Sequence, residues 1–169
     1  VPAIARVAEK VIPLIVGVKS GEKPTSSQLK KIIGLTLTLT AILSAFADNV
    51  AAYMFGEKVL SNFFKRTYGE KFLEEQPEVL DAISVAALKV AENAGSLSKI
   101  GNGPNFSQKV MTIVADKSCS QGISLDESDL KMGDTILHKN HFASAANILS
   151  VGFYSGMVMK KMPDLKAAA

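Results

Sequence analysis

The sequence predicts an all-α fold, a single-domain bundle or irregular helical globule of about five to seven helices. Three observations carry that expectation. Apolar residues recur at helical spacing along most of the chain, N-cap or proline start signals precede several of the runs, and no alternating stretch is assigned to a strand.

The first run carries Ile4, Val7, Val11, Ile12, Leu14, Ile15 and Val18, a helical stripe that Pro13 is expected to kink or divide. Ser20 to Pro24 read as a loop. Thr25, Ser26 and Ser27 then offer hydroxyls to the free amides of a new helix. From Ile32 to Ala47 that helix has no charged residue, and up to Phe55 only Asp48 interrupts it. An uncharged run containing Thr36, Thr38, Thr40 and Ser44 falls short of the roughly 20 residues a bilayer demands, so a buried core helix is expected. The alternation of Leu35 to Thr40 suggests a strand locally. The apolar pattern nevertheless continues without a turn signal to Met54, far past a typical strand of about 5 to 6 residues.

Gly56 is expected to break the chain before a short helix bearing Val59, Leu60, Phe63 and Phe64 and ending at Lys65 and Arg66. Pro77 to Ala94 forms the clearest helix, with Glu78 and Asp81 early, Leu80, Ile83, Ala87, Val90 and Ala91 on one face, and Gly95 as its stop. Gly101, Gly103 and Pro104 make a connection to a shorter helical segment over 106–115. The last helix runs from about Asn140 to Met162, closed by Pro163 and carrying Lys160 and Lys161 at its C-terminal end.

One domain over residues 1–169 is expected, with Val1 read as a processed start and 167–169 as a vector-derived remnant. The apolar fraction of 47% and the charged fraction of 21% exclude a disordered chain. A mean hydropathy of +0.20 points to a generous core or to apolar surface reserved for a partner or a bilayer. Cys119 is the single cysteine, which rules out an intrachain disulfide.

Net charge is only +3, too small for the basic stripe that nucleic acid requires, so no nucleic-acid partner is expected. Its distribution is uneven. Nine basic residues face four acidic ones through Arg66, and ten face twelve thereafter, so the N-terminal part carries +5 and the remainder −2.

Few motifs carry chemistry. Residues 116–127 resemble a calcium-binding loop in ligand spacing, with Asp116, Ser118, Ser120, Ser124 and Glu127 at oxygen-donor positions. Gln121 stands where the loop's sharp turn wants glycine, and the serines supply no charge, so a polar turn and no metal are expected. His138 and His141 would share one side of a helix at i, i+3, yet two imidazoles fall short of a zinc site. There is no nucleophile elbow, P-loop or dinucleotide fingerprint, and no cofactor is expected. Gly152 and Gly156 have the spacing that allows close helix approach. Asn105-Phe106-Ser107 is a glycosylation sequon that matters only for a chain secreted from a eukaryote.

These features favour a non-catalytic helical interaction module, soluble without detergent, monomeric or homodimeric, that binds a protein partner or an anionic membrane surface. Lys30, Lys31, Lys65 and Arg66 are the expected binding cations. An alternative is a helical carrier of an apolar small ligand or lipid, with Met54, Phe55, Phe63, Phe64, Phe153 and Met157 lining the cavity. A second alternative is an enzyme whose site is not legible in the sequence, with Asp48 as its acid or base.

Overall fold

The computed structural model describes residues 2–100, 123–125, 129–132, 135–138 and 142–163. In chain order the elements are α1 (Pro2–Val16), α2 (Ser26–Phe46), α3 (Asn49–Tyr68), α4 (Phe72–Glu75), α5 (Pro77–Ile100), β1 (Ile123–Leu125), β2 (Asp129–Met132), β3 (Thr135–His138) and α6 (Phe142–Lys161). The fold is all-α. Among the described residues its core is built by the helices together with Val18 of the loop after α1, and the three short strands form an antiparallel meander in the order β1-β2-β3.

Helix α2 is the central element, packing against α1, α3, α5 and α6. It starts at a capping box: Gln28 N–H donates to Thr25 Oγ1 at 3.1 Å, and Thr25 N–H donates to Gln28 Oε1 at 2.9 Å. Over its 21 residues α2 is long and apolar enough to cross a membrane, which the uncharged run taken alone did not suggest. Here it buries Leu29, Ile32, Ile33, Thr36, Leu37, Thr40, Ala41 and Ser44 among its neighbours. The threonines tolerate this setting because Thr36, Thr38 and Thr40 each donate to the carbonyl four residues back, at 2.8 to 2.9 Å. Strand propensity in Leu35 to Thr40 is thereby overridden by tertiary burial.

The apolar run expected to continue as one helix to Phe55 divides at Ala47 and Asp48. Asp48 is extended and caps α3, its carboxylate accepting from Ala51 N–H at 2.7 Å. Gly56 does not break the chain either. It lies inside α3, where an added Cβ would stand 2.5 Å from Thr40 Oγ1 and 3.3 Å from Ala87 Cβ, so its role is close packing of three helices. Gly69, at φ 108°, is the residue that ends α3.

Helix α5 likewise runs through Gly95, the expected stop, to Ile100. A Cβ there would fall 2.1 Å from Asn49 Oδ1, so glycine admits the N-terminus of α3 against α5. The Ser44 hydroxyl joins the same corner, lying within hydrogen-bond distance of the Ala91 carbonyl and 2.8 Å from Asn49 Oδ1. Leu37, Leu60, Phe64, Ile83 and Val158 are fully buried members of one core cluster.

Two further expectations change. Pro13 does not divide α1, which is continuous over Pro2–Val16. His138 ends β3, opposite Asp129 of β2, so the helical i, i+3 pairing proposed for His138 and His141 does not form. The segment 106–115, Cys119, the sequon at 105–107 and His141 lie outside the described residues.

Candidate functional site

Helix α1 is apolar on two sides, and only one is used by the core. Ala5, Ala8 and Ile12 are buried, whereas Ile4, Val7, Val11, Leu14 and Ile15 remain 41 to 67 % exposed. At 100° per residue the five exposed side chains fall within about 100° of the helix circumference. They form one stripe along its length. Scattered exposed aliphatics are ordinary on a protein surface, but an aligned row of five on one helix is not.

The edge of this stripe away from the core is basic. Arg6 and Lys10 are exposed there, and the loop after α1 adds exposed Lys19 and Lys23, with Glu22 the acidic side chain among them. Glu9, the acidic residue of α1, is turned inward and is 7 % exposed. Its carboxylate accepts from Asn62 Nδ2 at 2.7 Å and forms a short ion pair with the Arg66 guanidinium. These bonds fasten α1 to the C-terminal half of α3, so the outward face of α1 is a consequence of how the helix is held.

Between the same two segments lies a groove of about 500 Å³, lined by Lys10, Pro13, Leu14, Val18, Phe63 and Arg66 and closed by Glu9, Thr67 and residues 19–22. Leu14 belongs both to this groove and to the exposed stripe. A second apolar group, Ile42, Phe46, Val50 and Met54, recurs every four residues across the α2–α3 corner, and Phe46 is 89 % exposed.

The residues singled out in the sequence disperse over this framework. Lys30 and Lys31 are exposed on the first turns of α2, Lys65 is half-buried, and Arg66 is engaged by Glu9. Phe55 and Phe64 belong to the core, Phe153 and Met157 are half-buried against it, and Met54 is exposed. Phe63 alone of that set lines the groove. Asp48 is occupied as a helix cap. Of the calcium-loop residues, Ser124 is in β1 opposite Lys131, and Asp116, Ser118, Ser120 and Glu127 lie outside the described residues. Among the described residues no group of three or more His, Cys, Asp or Glu is placed to hold a metal. A Cβ on Gly152 or Gly156 would meet nothing within 4 Å, so neither glycine serves close packing among the described residues.

Tyr68 sits in an aromatic cluster with Phe64 and Phe72, at centroid distances of 5.9 and 5.0 Å. Its hydroxyl is buried without a hydrogen-bond partner among the described residues, and burial pushes its pKa up to about 12.

The outward stripe of α1 is the feature that sequence reasoning missed. Its signal was present in the pattern: counted from Leu14 round to Val16, the apolar arc of α1 spans about 200°, roughly twice what a core-facing helix needs. Comparison with protein-family models, with curated proteins and with solved structures finds no match to this chain.

Proposed function

We propose that the protein is a non-catalytic helical interaction module that docks on an anionic membrane surface through the outer face of α1. The observation that carries this reading is the aligned stripe of Ile4, Val7, Val11, Leu14 and Ile15, exposed and edged by Arg6 and Lys10. An interfacial helix has this division, aliphatic side chains for the acyl boundary and cations for the headgroups. Burying the half-exposed stripe yields on the order of 5 kcal/mol gross. Each cation near an anionic leaflet adds about 1 kcal/mol. The two terms reinforce each other because the basic edge runs beside the stripe.

The test is flotation with phosphatidylcholine vesicles, with and without phosphatidylglycerol, at about 0.05 and about 0.5 M salt, between which screening shortens markedly. Capture is expected on the anionic vesicles and should weaken at high salt. Replacing Val7 and Val11 together by Ser should reduce capture by at least about tenfold, since each loses roughly 1 kcal/mol of apolar transfer, while leaving helicity intact. Capture that survives this double substitution, or that is absent on anionic vesicles at low salt, refutes membrane docking by α1. In the latter case a pull-down that recovers a protein dependent on Val7 and Val11 would move the same stripe to a protein partner.

A further inference from the structure

We infer that the groove between the C-terminal halves of α1 and α3 holds the phosphate of a single anionic phospholipid, an inference that rests on the membrane reading above and names its ligand. The groove holds about 500 Å³, within the roughly 300 to 1,000 Å³ of small-ligand sites. Three cations line it, Lys10, Lys19 and Arg66, together with the carboxylates Glu9 and Glu22. Those charges are not equivalent. Glu9 is neutralised by Arg66 and satisfied further by Asn62, and among the described residues this is the one ion pair. The Glu22 carboxylate lies 3.4 Å from its own loop's Lys19 N–H and pairs with neither lysine side chain. Lys10 and Lys19 therefore line the groove as exposed residues that, among the described residues, have no carboxylate within ion-pair distance, and each can donate to a phosphate oxygen.

The remaining walls separate a lipid from free phosphate. Pro13 and Leu14 of α1, Val18 after it and Phe63 of α3 give the groove an apolar lining, which a bare inorganic anion has no use for. Leu14 is the link outward. It stands at the basic edge of the α1 stripe and at the rim of the groove, so a phosphate held by Lys10 and Lys19 leaves its glycerol and acyl chains against Leu14 and along the stripe. Apolar and charged recognition are thus continuous on one helix, as a phospholipid requires.

The test uses the full chain and dihexanoyl-phosphatidylglycerol below its micelle concentration, with saturable binding followed by the amide shifts of residues lining the groove. Lys10→Gln with Lys19→Gln should weaken this binding by at least about tenfold, the effect of losing one charge-assisted hydrogen bond. Lys30→Gln with Lys31→Gln removes the same charge from the same basic part of the chain and should leave it nearly unchanged. Equal losses in the two pairs would show attraction by the general field, and would overturn the site. So would inorganic phosphate or glycerol phosphate binding as tightly as the lipid. Vesicle capture measured in parallel keeps the two readings apart: capture without saturable binding of monomeric lipid sinks the groove alone, whereas loss of capture on every vesicle sinks membrane docking. Both lysine pairs are exposed, and unchanged circular dichroism confirms that folding is intact.

Discussion

Replacing Gly56 by Ala tests whether the crossing of α2, α3 and α5 is as close as described. In an open helix the change is favourable, because Gly costs about 0.8 to 1 kcal/mol relative to Ala. Here the new methyl would stand 2.5 Å from Thr40 Oγ1 and 3.3 Å from both Thr40 Cγ2 and Ala87 Cβ. Thr40 cannot swing aside freely, since it is fully buried and its hydroxyl donates to the Thr36 carbonyl at 2.9 Å. Rotating it strands a buried hydroxyl at a cost of about 1 to 3 kcal/mol, and separating the helices costs a similar amount. After the propensity gain is subtracted, Gly56→Ala should destabilise by up to about 2 kcal/mol, a fall in Tm of up to about 8 °C for a chain of this size.

Urea and thermal unfolding followed by circular dichroism provide the measurement, with two internal standards. Gly152→Ala meets nothing within 4 Å, and Gly34→Ala places its methyl 3.8 Å from Ser155 Oγ, an ordinary contact. Both should stabilise by about 0.5 to 1 kcal/mol. Thr40→Ala in the Gly56→Ala background should recover part of the loss, giving a coupling above about 0.5 kcal/mol. A Gly56→Ala protein at least as stable as its parent refutes the reasoning.

Tyr68→Phe should stabilise by about 1 kcal/mol at neutral pH, because it removes a buried hydroxyl that has no partner among the described residues. Between pH 10.0 and about 12 the native Tyr68 keeps a proton that the unfolded chain releases, so stability is intact below that window and falls as pH rises through it. Urea midpoints at about pH 9 and about pH 11 should show this decline, and a parent-like slope in the Phe variant would exclude Tyr68 as its source. Substitutions in the α1 latch should be asymmetric. Arg66→Leu leaves the Glu9 carboxylate buried with Asn62 alone and should cost about 1 to 3 kcal/mol. Glu9→Gln keeps an acceptor for Asn62 and releases a half-exposed Arg66 to water, so its cost should stay below about 1 kcal/mol. Amide exchange in α1 reports both, and equal acceleration would contradict the asymmetry.

What could be read in the sequence was whatever is decided locally. The Thr25 hydroxyl, and Pro77 ahead of Glu78, mark helix starts by the groups they satisfy or omit, and both lie where the helices begin. The corner at Ala47 and Asp48 was missed because it contains neither Gly nor Pro, and Asp48, an N-cap residue type, was read as a single interruption within one helix. Gly56 and Gly95 resemble breakers until Thr40, Ala87 and Asn49 are brought against them, which no local pattern encodes. Strands of three or four residues are too short for alternation to register. Periodicity located the stripe of α1 but not its direction, because one face is filled by Ala5, Ala8 and Ile12 and the larger residues are left outside. Arg66 was read as a free cation, and only the fold brings it to Glu9 across 57 positions.

The central position of α2 also constrains how the chain is made. Helix α2 leaves the ribosome before α3, α5 and α6, three of the four helices that pack against it, and it has a length and hydropathy that suit a bilayer. Synthesis at about 5 to 20 residues per second leaves roughly 2 to 10 seconds between Phe46 and Ala94, the last described core residue of α5. Throughout that interval the nascent segment offers apolar surface to holding chaperones and to membrane-insertion machinery alike. Its threonine hydroxyls, bonded back into their own helix, add little penalty in either setting. Slowing elongation after residue 46 should lengthen the interval in which α2 lacks α3 and α5 beside it.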